Sequence, residues 1–279
     1  SYVLENKYEI DGKTCAEIFA SKAEDFELRG DIQKACRIPT ESVLFNIQEK
    51  LDATTKSTID PVLNIFVKEF NRKMGYDDKK PEIAEIERYF DNKGKYEFFK
   101  EEYQKRFGET WENGRKSILL KLQRVAEIMA EIDGIPQATA FDNIKTQIAN
   151  YKIDTDGFVA LVKEHLDKQQ PGSRFIFFVD EVGQFIGKDV HRMLSLQTIA
   201  EGLSDKTNGQ SIVIVTSQMD IDATLGNLDK QQEYDFSRIQ GRFDTRISLT
   251  SANADEVIQR RLLEKEEEPQ QMLCEVYQK

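Results

Sequence analysis

Histidine and cysteine are scarce in the 279 residues: His165 and His191 are the two imidazoles, and Cys15, Cys36 and Cys274 the three thiols. So few histidines argue against a histidine-based catalytic triad or a multi-histidine metal centre. The cysteines lie far apart and form no C-x-x-C pair, which argues against a zinc site or a disulfide framework. They are expected to be reduced thiols in a cytoplasmic protein. Long apolar runs are missing too. Phe175–Val179 and Ile212–Val215 are among the longest, far below the roughly 20 residues of a membrane helix. No basic stretch followed by an apolar core opens the chain, so no secretory signal is read. Basic residues are in deficit, 39 against 50 acidic, for a net charge of −11. That balance is a poor footprint for a protein coating nucleic acid with its whole surface, although a local basic face is compatible with it.

A phosphate-binding loop is also lacking. The pattern G-x-x-x-x-G-K-S/T must follow a strand and open a helix. "DGKT" (Asp11–Thr14) has the ending but neither the glycine-rich loop nor the strand. "GETWENGRKS" (Gly108–Ser117) spaces its glycines one residue too far apart, inserts Arg115 before Lys116, and follows helical sequence. Both are rejected as phosphate loops.

What is present fits a globular protein of one large or two ordinary domains, with 39% hydrophobic and 32% charged residues, 17 Phe and 9 Tyr. The opening reads as helical pieces broken near Gly12 and Gly30, and its abrupt start in helix-like sequence suggests a fragment. After Pro39-Thr40, "SVLFNI" (Ser42–Ile47) is the first expected strand. From about Ser57 to Lys168 the pattern turns to amphipathic helices. Val62, Ile65, Phe66 and Phe70 share one helical face behind Pro61, another helix starts at Pro81, and Lys116–Ile132 reads as one long apolar helix. After Gly172, a strand over Phe175–Val179 leads to a helix over Val190–Leu203 and a strand over Ser211–Ser217. A last strand, Arg246–Thr250, precedes a helix N-capped by Asn253. Alternation of this kind predicts an α/β fold with a parallel sheet.

The strand "FIFFV" runs into Asp180 and Glu181. Four apolar residues followed by Asp-Glu form the Walker B signature, although a strand can also end so simply by entering a loop. Phosphoryl transfer needs an acid to hold hydrated magnesium and a group to orient the attacking water. Adjacent acids divide these roles, Asp180 toward the metal and Glu181 toward the water. The next strand ends in Thr216, Ser217 and Gln218, small polar groups suited to the γ-phosphate or the water. "SRIQGRFDTR" then sets Arg238, Arg242 and Arg246 around a glycine, either as ordinary surface charges or as arginines offered to a neighbouring subunit's phosphate.

In order along the chain, "FIFFVDEVGQFIG", "LQTIAEGL", "IVIVTSQMD" and "DFSRIQGRFDTRISLTSANADEVIQRRLLEK" resemble the BrxC ATPases of bacterial BREX phage-defence systems and the related PglY proteins. The likeness is strongest from Arg174 to Lys265 and weakest between about Ser57 and Lys168. "SYVLENK" resembles the helix after that family's P-loop, and "IPTESVLFNI" its second sheet strand. The resemblance implies an AAA+-like P-loop sheet lacking its first strand and P-loop, the Walker A motif lying just before Ser1. It implies four parts: residues 1–56 of the ATPase core, a helical insertion over 57–170, the Walker B, sensor and arginine part over 171–252, and the start of a helical lid over 253–279. It further implies Mg2+ on Asp180, Glu181 as catalytic glutamate, Thr216, Ser217 and Gln218 at the sensor position, and Arg238 and Arg242 as arginine fingers. Those two arginines stand one residue further apart than in the usual AAA pattern. ATP is the implied nucleotide, and a homo-oligomer, other defence-complex proteins and DNA are the implied partners. The other reading is a non-catalytic scaffold that uses the same fold to organise partner proteins.

Overall fold

A computed structural model describes residues 1–50, 60–186 and 189–217, with Thr245 and Ile247. The chain divides into two units, Ser1–Arg242 and Phe243–Lys279; the second contributes only exposed Thr245 and Ile247 to the described residues.

The first unit opens with helix α1 (Tyr2–Glu5) and a two-stranded hairpin, β1 (Glu9–Ile10) and β2 (Lys13–Thr14). Asp11 and Gly12 turn it with φ of 51° and 73°, the left-handed pair that a tight hairpin demands. Helix α2 (Cys15–Ser21) starts in a reciprocal capping box between Thr14 and Glu17. Helix α3 (Phe26–Arg37) follows, its first turn capped by Asp25, whose carboxylate accepts from the Leu28 amide. The expected break at Gly30 does not occur. A single mid-helix glycine costs only about 1 kcal/mol, and the Asp25 cap and the acidic first turn offset that cost. Strand β3 (Thr40–Asn46) ends this part.

Helix α4 (Pro61–Lys73) begins with Asp60 as N-cap and Pro61 in its first turn. Then come α5 (Pro81–Asn92), α6 (Tyr96–Phe107) and the short α7 (Trp111–Gly114), which runs into a 3-10 turn over Arg115–Leu120. Helix α8 (Leu122–Asp133) starts only after that turn. The single helix expected over Lys116–Ile132 is therefore two pieces, broken at Lys121 (φ −133°, ψ 28°). Ser117 is also non-helical (φ −117°, ψ 17°), and the Lys121 amide donates to the Ile118 carbonyl at 2.7 Å rather than four residues back. Lys80 Nζ holds the start of the turn, donating to the carbonyls of Arg115 at 3.0 Å and Lys116 at 2.6 Å. Helices α9 (Gln137–Ala149) and α10 (Thr155–Asp167) complete the stretch.

Strand β4 (Arg174–Asp180), short helix α11 (Val182–Ile186), helix α12 (Val190–Lys206) and strand β5 (Ser211–Val215) follow. The sheet is parallel, in the order β3-β4-β5, with Asn46 opposite Asp180 and Val179 opposite Val215. The protein is thus α/β, as expected.

One sheet face is aromatic. Phe66 of α4 meets Phe177 at 5.2 Å and Phe45 at 5.5 Å between ring centroids, Phe70 meets Phe175 at 5.5 Å, and Phe158 of α10 meets Phe177 at 6.0 Å. The first and last helices of the 57–170 stretch therefore cover the sheet, while α5 to α9 close a separate core around Phe90, Phe99, Tyr103, Trp111 and Ile128. The other face alternates with the first. Leu44 is 62% exposed there, Ile212 37% and Ile214 39%.

Candidate nucleotide site at the strand ends

Five mostly buried apolar residues carry β4 to Asp180, where the chain leaves the sheet into solvent. The strands on either side pin this exit. The Ile47 amide donates to the Asp180 carbonyl at 3.2 Å, the Thr216 amide to the Val179 carbonyl at 3.0 Å, and the Val182 amide to the Thr216 carbonyl at 3.0 Å. Asp180 is thereby held between the ends of β3 and β5.

Glu181 adopts φ 59°, a left-handed conformation that costs a residue with a Cβ roughly 1–2 kcal/mol. Two contacts at its own ends hold it. Its amide donates to Asp180 Oδ1 at 3.0 Å, and its Oε2 accepts from Asn46 Nδ2 at 2.5 Å. The amide of Asn46 is itself oriented, because Asn46 Oδ1 accepts from the Gln48 and Glu49 amides at 3.0 and 3.2 Å. That pairing leaves the NH2 group to face the carboxylate. On the other side, the Thr216 hydroxyl donates to Asp180 Oδ1. Asn46, Glu181, Asp180 and Thr216 form one bonded row across three strand ends.

Behind the row, α11 and α12 are fixed by short-range contacts. Asp189 caps α12 by accepting from the His191 and Arg192 amides, and the Arg192 guanidinium donates to the Phe185 carbonyl at 2.7 Å. Ser195 donates to Asp60 at 2.6 and 2.8 Å. Asp60 also accepts from the Leu63 amide at 3.0 Å. One carboxylate thus ties the start of α4 to α12.

Of the expected site residues, Asp180, Glu181 and Thr216 come together, and Ser217 follows directly. Gln218, Arg238, Arg242, Arg246 and Asn253 lie outside the described residues. Asn46 was not singled out from the sequence. A polar residue ending an apolar strand was visible there, but its place beside Asp180 follows from strand order, which no local pattern states. Neither rejected loop has phosphate-loop geometry. Asp11–Thr14 holds the hairpin turn, and Lys116 Nζ donates to Asn113 Oδ1 at 2.9 Å. Among the described residues no three His, Cys, Asp or Glu are grouped to hold a metal ion. An ion at Asp180 would take its remaining ligands from phosphate and water, which suits Mg2+.

No family model matches this chain, and no solved structure matches it. Among the described residues no helix is long and apolar enough to cross a membrane.

Proposed function

We propose that the chain carries the metal-side half of an AAA+-like P-loop ATPase core of the BrxC and PglY type. The observation that carries this reading is the bonded row of Asn46, Glu181, Asp180 and Thr216 at the ends of three parallel strands. Ligands of open α/β sheets bind at that edge. The strand order, with the acid-ending strand central, is compatible with such a core.

Asp180 holds the cation and Glu181 orients the attacking water and accepts its proton. Bound Mg2+ supplies charge neutralisation for the nucleotide phosphates. Ser217 and Gln218 follow Thr216 on the chain and are assigned to sensing the γ-phosphate. Arg238 and Arg242 are assigned to a neighbouring subunit's nucleotide, so the active form is a homo-oligomer. ATP turnover then drives assembly of the defence complex or its action on DNA.

The test is ATP hydrolysis by the full-length protein. Glu181→Gln should bind ATP and fail to hydrolyse it, and Asp180→Ala should lose magnesium-dependent hydrolysis. Normal turnover by Glu181→Gln would sink the assignment.

The separate core of α5 to α9 favours a second role beside the first, that of an interaction module. Excising residues 77–152 should then abolish association with partner proteins while leaving ATP hydrolysis intact. Loss of both together would make the segment part of the catalytic fold. Gel shifts at several salt concentrations separate DNA binding from either role.

A further inference from the structure

We infer that Thr216 is a positioning residue for Asp180, not a phosphate ligand: its hydroxyl and the Glu181 amide together fill Asp180 Oδ1 and leave Oδ2 to the cation. The inference rests on reading the acid pair as a nucleotide site. Register places the two residues. With Val179 opposite Val215, Asp180 and Thr216 are the next pair on adjacent parallel strands, and side chains so paired share a face. The Thr216 backbone is locked on both sides, its amide to Val179 and its carbonyl to Val182.

A hydroxyl has one proton to donate. The Thr216 proton is directed at Asp180 Oδ1, which also accepts the Glu181 amide at 3.0 Å. Phosphate oxygens of a bound nucleotide are acceptors, so the same proton cannot serve them. Contact with phosphate therefore passes to Ser217 or Gln218. Among the described residues Asp180 Oδ2 has no donor. Two donors on one oxygen fix the carboxylate's rotation and aim the other oxygen outward.

The test uses full-length protein, with Mn2+ as the probe cation and β,γ-imido ATP, a non-hydrolysable nucleotide that keeps the γ-phosphate, and reads bound Mn2+ by electron paramagnetic resonance. Thr216→Val keeps the shape and removes the donor. It should weaken Mn2+ binding at saturating analogue about tenfold, the worth of one hydrogen bond to a charged group. Metal-free affinity for the analogue should stay unchanged, and Thr216→Ser should restore Mn2+ binding. Should Thr216→Val not fold, Thr216→Ala carries the same expectation. Weakened metal-free binding of the analogue with Mn2+ affinity unmoved would make Thr216 a phosphate ligand and overturn the inference. Asp180→Asn separates the two levels. If it leaves Mn2+ binding intact, the metal-site reading fails and the Thr216 role falls with it. If it abolishes Mn2+ binding while Thr216→Val does not, the Thr216 role alone is wrong.

Discussion

Asn46 restrains Glu181 through one oxygen at 2.5 Å. Under the proposed reading, in which Glu181 orients the attacking water, Asn46→Ala in the full-length protein is expected to lower kcat for ATP hydrolysis about tenfold while nucleotide affinity stays constant. Steady-state kinetics beside equilibrium binding check this, and a loss confined to affinity would place Asn46 in binding instead. A second residue-scale contact makes stability depend on pH. His165 Nε2 lies 2.7 Å from Glu41 Oε2, joining α10 to β3. That hydrogen bond, opposed by burial and aided by Lys7 and Lys73, holds the Glu41 carboxyl below its ordinary value. Because the folded value is the lower one, the contribution is present above the unfolded value of 4.5 and is lost as pH falls through the folded one. Urea midpoints of wild type and Glu41→Gln should differ at pH 6 and draw together as pH falls below 4.5. A gap that does not change over that range would assign the contact no role in stability.

At the scale of elements, the helical core hangs on one buried acid. Glu87 on α5 has a fully buried side chain and accepts from the Asp77 amide at 2.5 Å, Tyr96 at 2.9 Å, Trp111 at 2.5 Å and Arg115 at 2.8 Å. Removing one partner of such a set leaves the others uncompensated. Glu87→Ala is expected to cost about 3–5 kcal/mol in chemical denaturation, and a loss below 1 kcal/mol would count against the network. Gly114 marks the same junction by close approach, since a Cβ there would sit 2.4 Å from the Tyr103 hydroxyl. These contacts also explain what could be read from the sequence. The strands ending at Asn46 and Asp180 were legible because apolar runs bounded by Pro39, Gly172 and acids leave few alternatives. The acid pair was legible for the same reason. The break at Lys121 was not, because no glycine or proline marks it. Nor was the meeting of Asn46 with Glu181, which lie 135 positions apart and meet only through strand pairing. Gly30 misled in the opposite sense: helix propensity is a weak local prior, and a good cap outweighed it.

At the scale of the whole molecule, the sequence contains no G-x-x-x-x-G-K-S/T loop, and backbone amides of such a loop supply most of the grip on phosphate. The 279-residue chain alone should therefore show no micromolar ATP affinity by isothermal titration calorimetry; such affinity would contradict the division of the site into halves. The sheet carries a further consequence. Parallel sheets are ordinarily covered on both faces, yet Leu44, Ile212 and Ile214 meet water on one of them, and no described strand pairs with the outer edge of β5. An exposed apolar face of this kind favours adventitious sticking. In concentrated solution the chain on its own should self-associate through that face, and Ile214→Lys should return it to monomer in sedimentation experiments. Self-association removed by that substitution is a matter of solubility, and only association that survives it bears on the proposed homo-oligomer.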